Sequence, residues 1–295
     1  MRIGLLGTGY WAAETQAAGM SGHPDAEFVG VWGRDPAKAG ALAARYGVRA
    51  YDDVDTLLAD VDAVAVALPP DVQAELATRA ARAGKDLLLD KPIALTIAAA
   101  DQLVAAVEES GVASVVFFTN RFHPEIEAFL AGLGPQDGAR FTLFASIFQP
   151  DSPYAASAWR KEYGGLWDVG PHALSVLLPV LGPVTQVSAV AGPHDTTHAL
   201  LRHRDGAVST LALTLDAPPA STAFECVFHG ESGFVSLPSG AGEAVDAFRN
   251  AVAQLARART AGHPCDVRFG RDVVAILAAA EAARDRAEVV TVIAQ

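Results

Sequence analysis

Cysteine is nearly absent from this chain: its 295 residues hold only Cys226 and Cys265. Two distant thiols make neither a disulfide framework nor a metal site, and a reducing compartment is expected. Long apolar runs are missing too. Nothing approaches the ~20 residues of a membrane span, and the best candidate, residues 174–184, is interrupted by Pro179 and Pro183. The opening Met-Arg-Ile-Gly-Leu-Leu-Gly has too short an apolar run for a signal peptide, so a cytoplasmic location is expected. Positive charge is scarce: 22 Lys and Arg face 34 Asp and Glu, a net charge of −12. That argues against a general nucleic-acid or membrane-surface binder, but not against a small anion held by a few local cations. His194, His198 and His203 lack metal-ligand spacing, so no metal is expected. No internal repeat or low-complexity linker divides the chain.

What is present suffices for two domains with real cores, since 51% of the residues are hydrophobic. Residues 3–6 read as a strand, and Gly7-Thr8-Gly9-Tyr10-Trp11-Ala12 leads into a helix over 12–20. In that position G-x-G-x-x-A points to a dinucleotide site. Gly7 permits the turn, Gly9 lets amides approach a pyrophosphate, and Ala12 lets the helix pack closely. The amides and the helix N-terminus stabilise the anion. A second strand over 27–32 ends in Trp32-Gly33-Arg34-Asp35. A NAD-specific turn places an acid where Gly33 stands, and Arg34 can pair with a 2′-phosphate, which favours NADP over NAD. The plainer alternative has Asp35 capping a helix over 36–46 and Arg34 solvated. Strands at 48–51, 63–68, 86–89 and 112–118 alternate with helices at 53–59, 71–83 and 98–110, which predicts a doubly wound parallel sheet. Leu68 and Pro69 lie where the chain crosses the cofactor edge. Asp90-Lys91-Pro92 ends a parallel strand, where such sheets bind ligands, and its Lys91–Pro92 bond is a candidate for cis.

After Asn120-Arg121-Phe122-His123-Pro124 the pattern changes. A helix over 125–133 precedes extended segments at 139–148, 184–191, 198–203, 207–215, 223–230 and 233–237, the signature of a mostly antiparallel sheet. Helices over 243–260 and 270–286 and a strand at 289–293 follow. The expected domains are 1–119 and 120–295. Between them in character stands Gly164-Gly165-Leu166-Trp167-Asp168-Val169-Gly170-Pro171-His172. Asp168 and His172 share a helix face, roughly opposite a core stripe of Leu174, Leu177, Leu178 and Leu181. Pro171 fits if the helix starts a few residues earlier. An isolated pair of this kind also reads as a capping Asp and a structural His.

In their order along the chain these motifs resemble the Gfo/Idh/MocA oxidoreductases, the glucose–fructose oxidoreductase and inositol dehydrogenase family. Gly7-Thr8-Gly9 with Ala12, Asp90-Lys91-Pro92 (Asp for the family's Glu), Arg121-Phe122-His123-Pro124, Trp159-Arg160, and Gly164-Gly165 through Asp168, Gly170 and His172 carry the resemblance. It implies a Rossmann domain followed by an α/β domain whose open sheet mediates homo-oligomerisation, as a dimer or tetramer. It implies hydride transfer between a nicotinamide cofactor and a secondary alcohol or ketone of a sugar, cyclitol or related polyol. Lys91, Asp168 and His172 become the catalytic set. Lys91 stabilises alkoxide charge, His172 is the base, and Asp168 orients the substrate or the imidazole; Lys91 and His172 are expected to meet although distant in sequence. Cofactor contacts are implied for Gly7, Thr8, Gly9, Tyr10, Trp11, Gly33, Arg34, Leu68, Pro69, Gln73, Asp90, Lys91, Pro92, Asn120, Trp159 and Arg160. Two positions depart from the family: Gln73 stands where many members carry His, and Ser175 where many carry Asp. Two other readings of the scaffold are a non-catalytic dinucleotide- or sugar-binding regulator and a redox-assisted glycoside hydrolase. Retention of the catalytic set argues against the regulator.

Overall fold

A computed structural model describes residues 1–240 and 242–292. The chain divides into two compact units, the first comprising Met1–His123 and Gly242–Arg271 and the second residues 124–241 and 272–295.

The first unit alternates strand and helix. Strand β1 (Arg2–Leu6) leads into a π-helical stretch, Ala12–Ala17, continued by α1 (Ala18–Met20). Then come β2 (Glu27–Trp32), α2 (Pro36–Tyr46), β3 (Arg49–Tyr51), α3 (Val54–Asp60), β4 (Ala63–Val66), α4 (Pro70–Arg82), β5 (Asp86–Asp90), α5 (Ile97–Ser110) and β6 (Ser114–Phe117). The six strands pair in parallel in the order β3-β2-β1-β4-β5-β6. The order reverses between β1 and β4, and the crevice outside the carboxyl ends there is where such sheets bind ligands. Every residue of β4 and β6 is buried, which is why these runs are apolar without alternation. Local chemistry sets the helix ends. Asp35 accepts hydrogen bonds from the amides of Ala37 and Lys38 (3.0 and 3.2 Å), Pro36 opens α2, and Gly47 closes it in the left-handed region at φ 66°.

The second unit opens with α6 (Pro124–Gly132) and β7 (Gly138–Phe144), followed by the long α7 (Ala158–Leu181). Strands β8 (Val184–Gly192), β9 (Thr196–His203), β10 (Val208–Thr214), β11 (Ala223–Gly230) and β12 (Gly233–Ser236) follow. They form a sheet in the order β12-β11-β7-β10-β9-β8-β13 with β13 (Val290–Thr291), the end of the predicted strand at residue 293 lying outside the described residues. All neighbours are antiparallel except β7 and β10. One face buries Phe141, Val187, Ala199, Leu201, Leu211 and Leu213, with α7 packed against β10, β7 and β9. The opposite face stays open and displays Val190 and Leu200. Among the described residues, no helix is long and apolar enough to cross a membrane.

The remaining helices, α8 (Ala244–Ala261) and α9 (Val267–Arg286), correct the expected boundary after residue 119. Residues 242–271 return to the first unit. Phe248 of α8 packs edge-on against Phe117 (5.0 Å between centroids), Asn250 donates to the carbonyl of Phe122 (2.9 Å), and Arg259 pairs with Asp86. An amphipathic helix advertises that one face must be covered; which sheet covers it is a long-range fact absent from its own pattern.

Candidate active site

In the first unit the site is built from the carboxyl ends of the strands. Gly7 has φ 137°, and a Cβ there would stand 2.4 Å from the carbonyl oxygen of Ala67. Its amide donates to the carbonyl of Trp32 (2.9 Å), tying the turn to β2. A Cβ on Gly9, by contrast, would meet nothing within 4 Å. Gly7 is required by protein atoms and Gly9 keeps space open, the arrangement a backbone cradle for a pyrophosphate needs. Tyr10 is exposed beside it, and Trp11 precedes the helix with a buried indole N–H that has no partner among the described residues. The residues present therefore fit a dinucleotide.

At the end of β2, a Cβ on Gly33 would lie 2.5 Å from Cγ2 of Thr8. The methyl of Thr8 takes the place where an acidic side chain would leave the backbone. Arg34 is exposed and forms no ion pair among the described residues. Asp35 caps α2, so that half of the plainer alternative holds, while Arg34 remains available to an anion.

Leu68 and Pro69 follow β4 half-buried, and Pro69 precedes the first turn of α4. That turn carries Gln73, whose side chain is wholly buried. Its amide nitrogen donates to the carbonyls of Asp90 (2.7 Å) and Pro92 (3.0 Å), and its oxygen accepts from the amide of Asp90 (3.0 Å). The Lys91–Pro92 bond is cis, as expected. The amide of Lys91 donates to the Asp90 carboxylate (2.8 Å), and Lys91 itself is half-buried at the end of β5. Asn120 lies half-buried in the 3-10 turn Thr119–Phe122 after β6. Sequence reasoning missed Gln16, a buried residue of the π-helical stretch that reaches toward the carbonyl of Val66 (3.4 Å) and the Asp90 carboxylate (3.5 Å). A glutamine on the inner side of an Ala-rich helix was the available signal.

In the second unit the chemistry sits on α7, which bends at Gly164 (φ 63°, ψ −161°). Side chains do not reach that conformation comfortably. A Cβ on Gly164 would fall 1.9 Å from the Asp195 carboxylate, and one on Gly165 2.6 Å from Cα of Thr214. The two glycines let the helix turn and lie directly on β10. Beyond the bend, Asp168 is buried and accepts a hydrogen bond from Nε of Arg160 at 2.9 Å. The guanidinium of Arg160 lies over the rings of Tyr154 and Trp159, 4.6 Å from each, stacking that holds a planar cation still. Tyr154 had no signal in the sequence.

The expected stripe is partly present: Leu174, Leu177 and Leu181 are buried and Leu178 is half-buried. The contrast of faces is not. Every residue from Gly164 to Pro171 is buried, so Asp168 lies inside on a helix that is covered all round, and His172 is half-buried. Pro171 also sits well inside the helix, beyond its first turn. Ser175, at the family's Asp position, donates to the carbonyl of His172 (2.8 Å) and so contacts its backbone.

Two family descriptions match the chain: "Oxidoreductase family, NAD-binding Rossmann fold" over residues 1–118 and "GFO/IDH/MocA C-terminal domain" over residues 138–236. Inositol 2-dehydrogenase of Rhizobium meliloti is 31% identical over 70% of this chain and 66% of its own length. A dTDP-3,4-didehydro-2,6-dideoxy-alpha-D-glucose 3-reductase of Saccharopolyspora spinosa is 30% identical over 72% and 67%. The chain thus matches about two thirds of each relative's length. The WlbA dehydrogenase of Bordetella pertussis, crystallised with NADH and UDP-GlcNAcA, superposes with a TM-score of 0.83 at 22% identity, covering 100% of this chain and 99% of that one; that likeness concerns the fold.

Proposed function

The chain belongs to the Gfo/Idh/MocA family of NAD-binding oxidoreductases, and from that premise we propose that it transfers a hydride between a nicotinamide cofactor and a secondary alcohol or ketone of a sugar, cyclitol or related polyol. The observation that carries the reading is the chemical set retained on the scaffold. Lys91 stands at the carboxyl end of β5, and Asp168 and His172 stand one turn apart on α7.

The nicotinamide supplies the hydride chemistry when the cofactor is bound. Gly7, Thr8, Gly9, Tyr10 and Trp11 hold its pyrophosphate side, with Leu68, Pro69, Asp90, Pro92, Asn120 and Trp159 as further contacts. Lys91 donates from Nζ to the reacting oxygen and stabilises its developing negative charge. His172 accepts the hydroxyl proton on a ring nitrogen, a task suited to a group that titrates near neutrality. Asp168 orients the substrate hydroxyl or the imidazole, with Arg160 paired to it. NADP is the proposed cofactor, supported by Gly33 in place of an acid, by the Thr8 methyl against it, and by the exposed Arg34. We read the protein as a cytoplasmic homo-oligomer that associates through the open face of the second sheet, where Val190 and Leu200 are exposed.

The test is a turnover screen over inositols, aldoses, deoxysugars and nucleotide-sugars with both NAD and NADP. Net cofactor reduction or oxidation with a free polyol or its ketone is expected. Glycoside cleavage without net cofactor change, or cofactor binding without turnover across the panel, would overturn the reading.

A further inference from the structure

We propose that Gln73 is a positioning residue for Lys91, not a cofactor contact. Its side chain is wholly buried, and its donors and its acceptor are engaged with the two residues that flank the lysine. A carboxamide offers two N–H donors and one carbonyl acceptor. One donor holds the carbonyl of Asp90 at 2.7 Å, the other the carbonyl of Pro92 at 3.0 Å, and the acceptor takes the amide of Asp90 at 3.0 Å. The backbone is gripped on both sides of Lys91. The grip is anchored in turn, because the amide of Gln73 donates to the carbonyl of Pro69 (2.8 Å) in the first turn of α4. The Asp90 carboxylate completes the frame by accepting from the amide of Lys91 (2.8 Å).

No other side chain of this size matches that pattern. Leucine fills the volume and supplies none of these three bonds to the buried backbone. Glutamate keeps an acceptor but turns a second oxygen toward two carbonyls. A neutral imidazole has one donor and one acceptor, so histidine can serve two of the three bonds. The consequence for catalysis is placement. A lysine that stabilises charge on the reacting oxygen must meet it within a few tenths of an ångström, and a displacement near 1 Å costs about 10²-fold in rate.

The inference rests on the proposed role of Lys91, and its test separates the two. Lysine is scarce in this chain, so reductive methylation of the full-length protein with ¹³C-formaldehyde yields few dimethyl-lysine signals, and loss of one in Lys91→Arg assigns it. In Gln73→Leu and Gln73→Glu, the Lys91 signal and its titration midpoint are expected to move while those of Lys38, Lys85 and Lys161 stay. NADPH affinity, read by fluorescence titration, is expected to change less than about threefold, and kcat on the polyol found by the screen to fall about 10²-fold with little change in KM. Gln73→His should lie between Gln73→Leu and wild type. A Lys91 signal unmoved in both Gln73→Leu and Gln73→Glu overturns the proposal, as does a drop in NADPH affinity that matches the loss in kcat. Wild-type kcat in Lys91→Ala would instead overturn the catalytic role of Lys91 and leave the grip of Gln73 to be judged by the signal alone. If Gln73→Leu does not fold, Gln73→Glu and Gln73→His carry the same readouts.

Discussion

Each of the two units carries a glycine pair, Gly7 and Gly9 after β1 in the first and Gly164 and Gly165 at the bend of α7 in the second. In the first pair the two residues do different work. Gly7 is hemmed in by the Ala67 carbonyl, whereas the space beside Gly9 is empty. In the second pair both positions are filled by the protein itself, with the Asp195 carboxylate against Gly164 and the Thr214 backbone against Gly165. At the turn after β1 the open place beside Gly9 is room for a ligand, whereas the filled places beside Gly164 and Gly165 are close packing. Only the first kind reports on binding; the second reports on how α7 is carried.

The largest effects should come where the chemistry is placed. His172→Ala is expected to cut kcat about 10²–10⁴-fold, the usual worth of a general base, and Lys91→Ala at least comparably. NADPH titration should find the affinity of His172→Ala near wild type, because His172 lies outside the unit that carries the glycine turn. A kcat near wild type in His172→Ala on the right substrate removes the assignment.

Breaking the glycine comparison comes next. Gly7→Ala and Gly165→Ala should each lower the unfolding midpoint of their own unit by the equivalent of roughly 3 kcal/mol, from strain or overpacking against backbone. Gly9→Ala should leave the midpoint within about 0.5 kcal/mol of wild type and weaken NADPH binding at least tenfold. Denaturant unfolding beside cofactor titration reads both; a destabilised Gly9→Ala with intact affinity would reverse the interpretation.

A smaller and more selective effect is expected at Arg34. Arg34→Ala should weaken NADP(H) by about 1.5–3 kcal/mol, the worth of a charge-assisted contact, with little change for NAD(H), which has no 2′-phosphate. Equal changes in Kd for both cofactors would sink the NADP preference. Gly33→Asp should gain little NADH affinity alone and more when Thr8→Ala clears the methyl beside it.

The smallest effect belongs to the second unit's core. His203 is buried, with Nδ1 on the carbonyl of Gly182 (2.7 Å) and Nε2 on the hydroxyl of Ser209 (2.9 Å). A carbonyl only accepts, so Nδ1 carries the proton. Burial pushes the imidazole pKa below its usual 6.5. The unfolded chain then binds the extra proton first as pH falls. The contribution of His203 is present above about pH 6.5 and is lost below it, toward the folded pKa. His203→Gln should flatten that acidic slope in chemical denaturation measured from pH 8 to 5; an unchanged slope assigns it elsewhere.

How much of this was legible in the chain follows from the range of the forces involved. Strand and helix alternation, the cap at Asp35, the turn at Gly7 and the end of β5 depend on neighbours a few residues away, and their residue types declare them. The amphipathic contrast expected on α7 is absent because Asp168 is covered by parts of the unit that its helical period does not encode. The place of residues 242–271 escaped for the same reason.

By itself, the order of residues determined the parallel sheet and the turn after β1 with its open glycine, since backbone sterics act locally; Lys91, Asp168 and His172 stood out through the resemblance to the family. Only the tertiary structure decided that α8 covers the first sheet, that Arg160, lying over the rings of Tyr154 and Trp159, pairs with Asp168, and that Gln73 grips the backbone around Lys91. Each of these joins groups through packing and hydrogen bonds whose partners are chosen in space.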